Sequence, residues 1–150
     1  MQVADIMTQK VFTIREDKTV FVANEIMRWA HIRHVPVVDA HDRLVGVISH
    51  RDVLQASVAA LEATRNAPTP RRAVDPAPLT RIMHRQVHTT TPTTSVQEAA
   101  ATMRRLKIGC LPVLDDERLV GIVTAFDILH LVEQLPSAAF GAAAAVIGRG

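Results

Sequence analysis

Two short stretches of the chain place chemically useful groups at one spacing: Gly46-Val-Ile-Ser49-His-Arg-Asp52 and Gly121-Ile-Val-Thr124-Ala-Phe-Asp127. In each, an apolar run ends in a hydroxyl residue and a carboxylate follows three positions later. Where a strand gives way to a helix, unpaired backbone N–H groups and the positive end of the helix dipole attract phosphate. A hydroxyl and a carboxylate beside them bond a sugar. The same spacing has a purely structural use, because Ser or Thr at an N-cap with an acid in the first turn caps a helix without any ligand. Both readings stand on these residues alone.

Other reactive types do not assemble. Ser49, His50 and Asp52 include the types of a catalytic triad, but close neighbours on one element point in different directions and form no relay, so no catalytic residue is assigned. His31 and His34 are three apart, yet no third ligand is spaced near them, and no metal site is expected. Cys110 precedes an apolar run and reads as a packed small hydrophobe. As the single cysteine it forms no internal disulfide, which fits a reducing, cytoplasmic compartment.

A duplication positions these groups. Val3–Ser57 resembles Leu79–Val132; with one gap after Asp39, 18 positions are identical, among them Ile6-Met7 with Ile82-Met83 and Arg43-Leu-Val-Gly46 with Arg118-Leu-Val-Gly121. Residues 1–61 make the first repeat and 79–135 the second. Residues 62–78 carry Pro68, Pro70, Pro76 and Pro78 with Arg65, Arg71 and Arg72, a density of proline that reads as a linker. Residues 136–150 form an Ala/Gly-rich tail that reads as a weak helix at Ala142–Ile147 or as disordered, with partner docking by the tail as a further reading.

Each repeat reads alike. Val11–Ile14 is a short β run, and Val87–Thr90 a weaker one in which threonine replaces apolar residues. A helix follows, with Val20, Ala23, Met27 and Ala30 behind Thr19 in the first copy. In the second, Val96, Ala99, Ala100, Met103 and Leu106 follow a Ser95–Glu98 capping signature. Two apolar runs around a polar turn then predict a hairpin: Val35–Val38 with Leu44–Ile48, and Leu111–Leu114 with Leu119–Val123. A second helix starts at Ser49 or Thr124. One unit of about 55 residues leaves most of a sheet face uncovered, so two must pack together. The expected fold is α/β (α+β): two β-α-β-β-α repeats as a pseudo-twofold pair.

Composition excludes several classes. With 48% hydrophobic and 21% charged residues the chain supports a core. Aromatics are 3% and tyrosine is absent, so the stacking platforms of single-strand nucleic-acid binders are missing. The net charge of +2 is too small to argue for nucleic acid. No apolar run reaches the roughly 20 residues of a membrane span, and the first residues do not read as a secretory signal.

The whole pattern resembles the CBS domain, named after cystathionine β-synthase, arranged as a tandem pair or Bateman module. The resemblance is carried by Asp5-Ile-Met-Thr8 and Arg81-Ile-Met-His84, by His34-Val-Pro-Val-Val38 and Cys110-Leu-Pro-Val-Leu114, and by the two Gly-h-h-Ser/Thr-x-x-Asp turns. It implies clefts between the copies that bind an adenine nucleotide (AMP, ADP or ATP) or S-adenosylmethionine as a regulatory ligand, with no metal, and that signal ligand state to a partner. By this analogy Asp52 and Asp127 bond ribose hydroxyls, and Ser49 and Thr124 bond phosphate or ribose. Thr13 and Thr89 lie near the adenine, and Arg33 and His34 face phosphates. Val35, Pro36, Ile48, Cys110, Leu111, Pro112 and Val123 complete the expected lining.

The first copy offers Arg33, His34 and Arg51 where the second has Gly109, Cys110 and Phe126, so the first cleft is expected to favour a phosphorylated ligand. Side chains of one copy, Arg104, Arg105 and Lys107 among them, can also reach a phosphate seated by the other. The resemblance further implies a homodimer through the helices after Asp52 and Asp127, using Val53, Leu54, Leu61, Ile128, Leu129, Leu131 and Val132. Two alternatives are a ligand-free structural dimerisation module and a regulatory fragment of a larger transporter or enzyme.

Overall fold

The structure, a computed structural model, describes residues 1–65, 77–136 and 138–139. Arg71, Arg72, Pro68, Pro70, Pro76 and the stretch 142–147 lie outside the described residues.

In the first repeat β1 (Ile14–Arg15) is followed by α1 (Val20–Ala30), the hairpin β2 (His34–Val38) and β3 (Leu44–Ser49), and α2 (His50–Arg65). In the second, α3 (Val96–Leu106) precedes β4 (Cys110–Asp115), β5 (Arg118–Thr124) and α4 (Ala125–Gln134). β1 runs parallel to β2, which pairs antiparallel with β3. In the second repeat the parallel strand shrinks to one bridge, Thr90 to Val113. The threonines that replace apolar residues there leave little to bury against the sheet. In the first repeat Val11–Thr13 likewise stay outside the strand, which begins only at Ile14.

The helices follow their apolar stripes. α1 buries Ala23 and Met27, and α3 buries Val96, Ala99 and Met103. Ser95 caps α3 by accepting a hydrogen bond from the Glu98 N–H at 3.1 Å, whereas the Thr19 hydroxyl makes no such bond at α1. Both helices stop at a residue in the left-handed region, His31 (φ 54°) and Lys107 (φ 54°). That turn brings the chain back toward the following strand and presents the residues after α1 to the other half of the molecule.

The two halves exchange their leading segments. Val3, fully buried, sits in the core of the second repeat with Ala99, Met103, Leu111, Val113 and Val123. Leu79 and Met83 sit in the core of the first with Ile14, Met27, Val35, Val37 and Ile48. Backbone bonds fasten each strap. Thr8 and Ile122 exchange N–H···O bonds at 2.9 and 3.0 Å, and Val47 and His84 do the same at 3.0 and 2.9 Å. Farther out, Val3 N–H donates to the Thr94 carbonyl at 2.8 Å, and Leu79 N–H to that of Lys18 at 3.0 Å. Each apolar core is thus closed by a residue from the opposite end of the duplication.

Candidate functional site

The corners where β3 enters α2 and β5 enters α4 hold the two hydroxyl–carboxylate pairs. Asp127 Oδ2 accepts from the Thr124 N–H at 2.6 Å and from its hydroxyl at 2.8 Å. Asp52 Oδ2 accepts from the Ser49 N–H at 2.7 Å and hydroxyl at 2.6 Å, and the Asp52 N–H reaches back to the Ser49 hydroxyl at 3.3 Å. The capping use of the motif is therefore realised at both corners, and it aims each carboxylate by fixing one oxygen.

The second oxygens differ. His84 Nε2 lies 3.0 Å from Asp52 Oδ1, a contact made across the two halves. Among the described residues no hydrogen bond reaches Oδ1 of Asp127. The residue matching His84 in the duplication is Thr8, which lies on the Asp127 side. Burial raises the Asp52 carboxyl, but the Ser49 hydroxyl and amide and His84 outweigh it and hold it below its ordinary value.

A cavity of about 430 Å³ opens beside Asp127, within the range typical of small-molecule sites. Its walls come from both repeats. Lys10, Val11 and Phe12 precede β1, His31 to His34 follow α1, and Thr124, Phe126 and Asp127 stand at the head of α4. Thr8 and Ile122, the bonded pair of the strap, also line it. The Arg33 guanidinium sits 5.5 Å from the centre of the Phe126 ring, a cation–π contact between the halves. Phe12 meets Trp29 edge-on at 5.8 Å, so the aromatic wall has a brace on α1.

Burial pushes the His34 imidazole below its ordinary value; Asp52 opposes that shift and Arg33 adds to it. His34 is also packed against Gly109, where a Cβ would come within 2.9 Å of its ring. It therefore stands at the seam between the halves.

This arrangement divides the residues named from sequence. Arg33 and His34 share the cavity with Thr124 and Asp127 of the other repeat. The grouping of Arg33, His34 and Arg51 into one first-copy crevice is corrected: Arg51 lies along α2 beside Leu54, Gln55 and Val58, outside the cavity. The reason is that the cavity draws its loop from the first repeat and its helix N-terminus from the second. Thr13 and Thr89 are exposed, and neither lines the cavity. Val35, Pro36, Ile48, Leu111, Pro112 and Val123 are fully buried, so their side chains serve the core. Cys110 is buried as well, and that burial pushes its thiol up to about 12.

Lys10 and Phe12 were not named from sequence, and His31 was weighed there only as a metal ligand. Their signal is positional: they flank the first strand and the end of the first helix, as Arg33 does. Among the described residues no cluster of His, Cys, Asp and Glu could hold a metal ion, and no helix is long and apolar enough to cross a membrane.

Two α+β repeats that exchange straps and share a crevice between a helix N-terminus and the opposite loop define a paired-repeat module. The chain belongs to the CBS domain family, whose model matches residues 3–59 and 79–134. A homoserine O-acetyltransferase of Methanococcoides burtonii is 36% identical over 131 residues, which cover 87% of this chain and 24% of that protein. The chain thus spans about a quarter of the length of that relative. Among solved structures, the CBS domain pair of protein MJ0100 in complex with 5′-methylthioadenosine and S-adenosyl-L-methionine superposes with a TM-score of 0.76 at 30% identity, covering 89% of this chain and 96% of that one. CBSX2 in complex with AMP gives 0.70 at 25% identity, covering 89% and 96%.

Proposed function

We propose that the chain is a regulatory sensor of an adenosyl ligand, an adenine nucleotide or S-adenosylmethionine, and that it passes ligand state to a partner protein. The observation that carries this reading is the cavity beside Asp127: a carboxylate with one oxygen pinned by Thr124 and the other unbonded among the described residues, at the head of α4, faces a cationic loop from the other repeat. Such an oxygen suits a ribose hydroxyl, and Arg33 and the α4 N-terminus suit a phosphate. Phe12 and Phe126 offer aromatic surface to a base. The structural relatives seen with 5′-methylthioadenosine, S-adenosylmethionine and AMP support the adenosyl class. Because the cavity has walls from both repeats, a ligand that prefers one spacing of the halves shifts the population toward it. No group is placed as a general base, and the role assigned is binding without turnover.

Thermal unfolding with added adenine nucleotides and S-adenosylmethionine tests this reading. A ligand at a hundred times its Kd stabilises the fold by about 2.7 kcal/mol. No shift with any of them overturns it in favour of a ligand-free dimerisation module.

A specific observation supports self-association in either case. Leu54, Val58 and Leu61 on α2, and Leu129 and Val132 on α4, are 41 to 66% exposed. Apolar strips of this kind on two helices fit a homodimer in which the same face meets itself. Sedimentation of the chain beside Val58→Glu and Leu129→Glu variants checks it, with dimer expected for the parent and monomer for the variants.

A further inference from the structure

Resting on the adenosyl reading of the Asp127 crevice, we infer that this crevice selects an adenosine with an anionic 5′ chain, a di- or triphosphate in preference to the sulfonium of S-adenosylmethionine, and that Lys10 is the residue that sets this preference. The charges lining the cavity carry the inference. Lys10 and Arg33 enter from the first repeat, and Asp127 is the one acidic side chain among the described lining residues. One oxygen of that acid is held by two bonds from Thr124. Neither Lys10 nor Arg33 lies within 4.0 Å of a carboxylate among the described residues, so both charges remain available to a ligand. Arg33 instead rests over the Phe126 ring, which keeps its guanidinium at the cavity without neutralising it.

The positive end of α4 faces the same cavity that Lys10 and Arg33 line, and together these groups suit anionic oxygens. S-adenosylmethionine brings a sulfonium, an ammonium and one carboxylate, a net positive arm that offers these cations far less anionic oxygen than a polyphosphate does. Lys10 precedes β1 and is exposed, so its loss leaves the core untouched. Its counterpart in the duplication is the uncharged Gln86, so the lysine belongs to this crevice and not to the repeat in general.

Calorimetric titration of the intact chain with ATP, AMP, adenosine and S-adenosylmethionine tests the inference. ATP is expected to bind tightest, with an affinity that falls as salt is raised. Lys10→Ala is expected to weaken ATP about tenfold and adenosine less than about twofold, and Lys10→Arg to restore most of the loss. S-adenosylmethionine binding as tightly as ATP, or equal losses for ATP and adenosine in Lys10→Ala, overturns the anionic assignment while leaving the adenosyl reading intact. Binding of none of the four overturns both. Sodium tripolyphosphate serves as a further probe: affinity equal to that of ATP shows an anion site indifferent to the nucleoside and overturns the adenosyl reading.

Discussion

His84 Nε2 stands 3.0 Å from Asp52 Oδ1, while among the described residues no side chain bonds the matching oxygen of Asp127, where the residue equivalent to His84 is Thr8. The duplication thus produced two corners of the same build and different availability. At one, a side chain from the opposite strap occupies the carboxylate that the other leaves open to a ligand.

His84→Thr, which copies the open corner, is expected to strengthen ligand binding at Asp52 about tenfold. It should cost less than about 1 kcal/mol of stability, because His84 is 69% exposed and its pairing is largely solvated. Titration of parent and variant with the tightest adenosyl ligand checks this through the second binding event. An unchanged isotherm would show that His84 does not guard the corner.

Leu79→Ala should destabilise the first repeat although Leu79 belongs to the second in sequence. Its side chain is fully buried among Ile14, Met27, Val35 and Ile48, and truncation leaves a hole worth about 2–5 kcal/mol. Denaturant unfolding measures the loss, and amide exchange locates it. Protection falling only in residues 96–134 would contradict the exchange of straps.

Gly121→Ala probes the closest approach between strap and strand. A Cβ there would lie 2.6 Å from Met7 Sδ and 3.2 Å from the Thr8 carbonyl oxygen. The methionine tip can swing aside, but the carbonyl is held by the Ile122 N–H at 3.0 Å. A loss of about 1–3 kcal/mol is expected, with weaker binding in the adjoining cavity, as read by Tm and titration. A Tm equal to that of the parent would mean that the strap is looser than its bonds imply.

Stability should fall on acidification through the histidine range. Burial keeps His34 below its ordinary value of 6.5, so the unfolded chain takes up a proton that the folded chain refuses. The contribution is complete above the unfolded value, declines as the pH drops below it, and levels off once the folded value is passed. Arg33 reinforces the effect and Asp52 limits it. Denaturant midpoints at about pH 7.5 and about pH 5.5 should separate for the parent and converge for His34→Gln. Equal separation in both proteins assigns the slope elsewhere.

Much of this fold was legible in the residues. Periodicity located α1 and α3, the polar turns located both hairpins, and the repeat of Ser49–Asp52 as Thr124–Asp127 located the two corners. The destination of the straps was not legible. Ile6-Met7 and Ile82-Met83 mark a duplicated segment, but nothing in a short apolar pair says which of two similar cores it will enter. The same ambiguity misplaced Arg51 beside Arg33. A crevice built from the loop of one repeat and the helix start of the other cannot be assembled by reading either repeat alone. The buried Pro-Val strands were expected at the ligand for a related reason, since apolar lining and apolar core have the same composition.

The bonded pair Thr8 and Ile122 belongs at once to the floor of the cavity and to the strap whose far end is Val3, seated in the second core. A guest that shifts this pair is therefore expected to change the protection of the second core, which amide exchange with and without ligand reads.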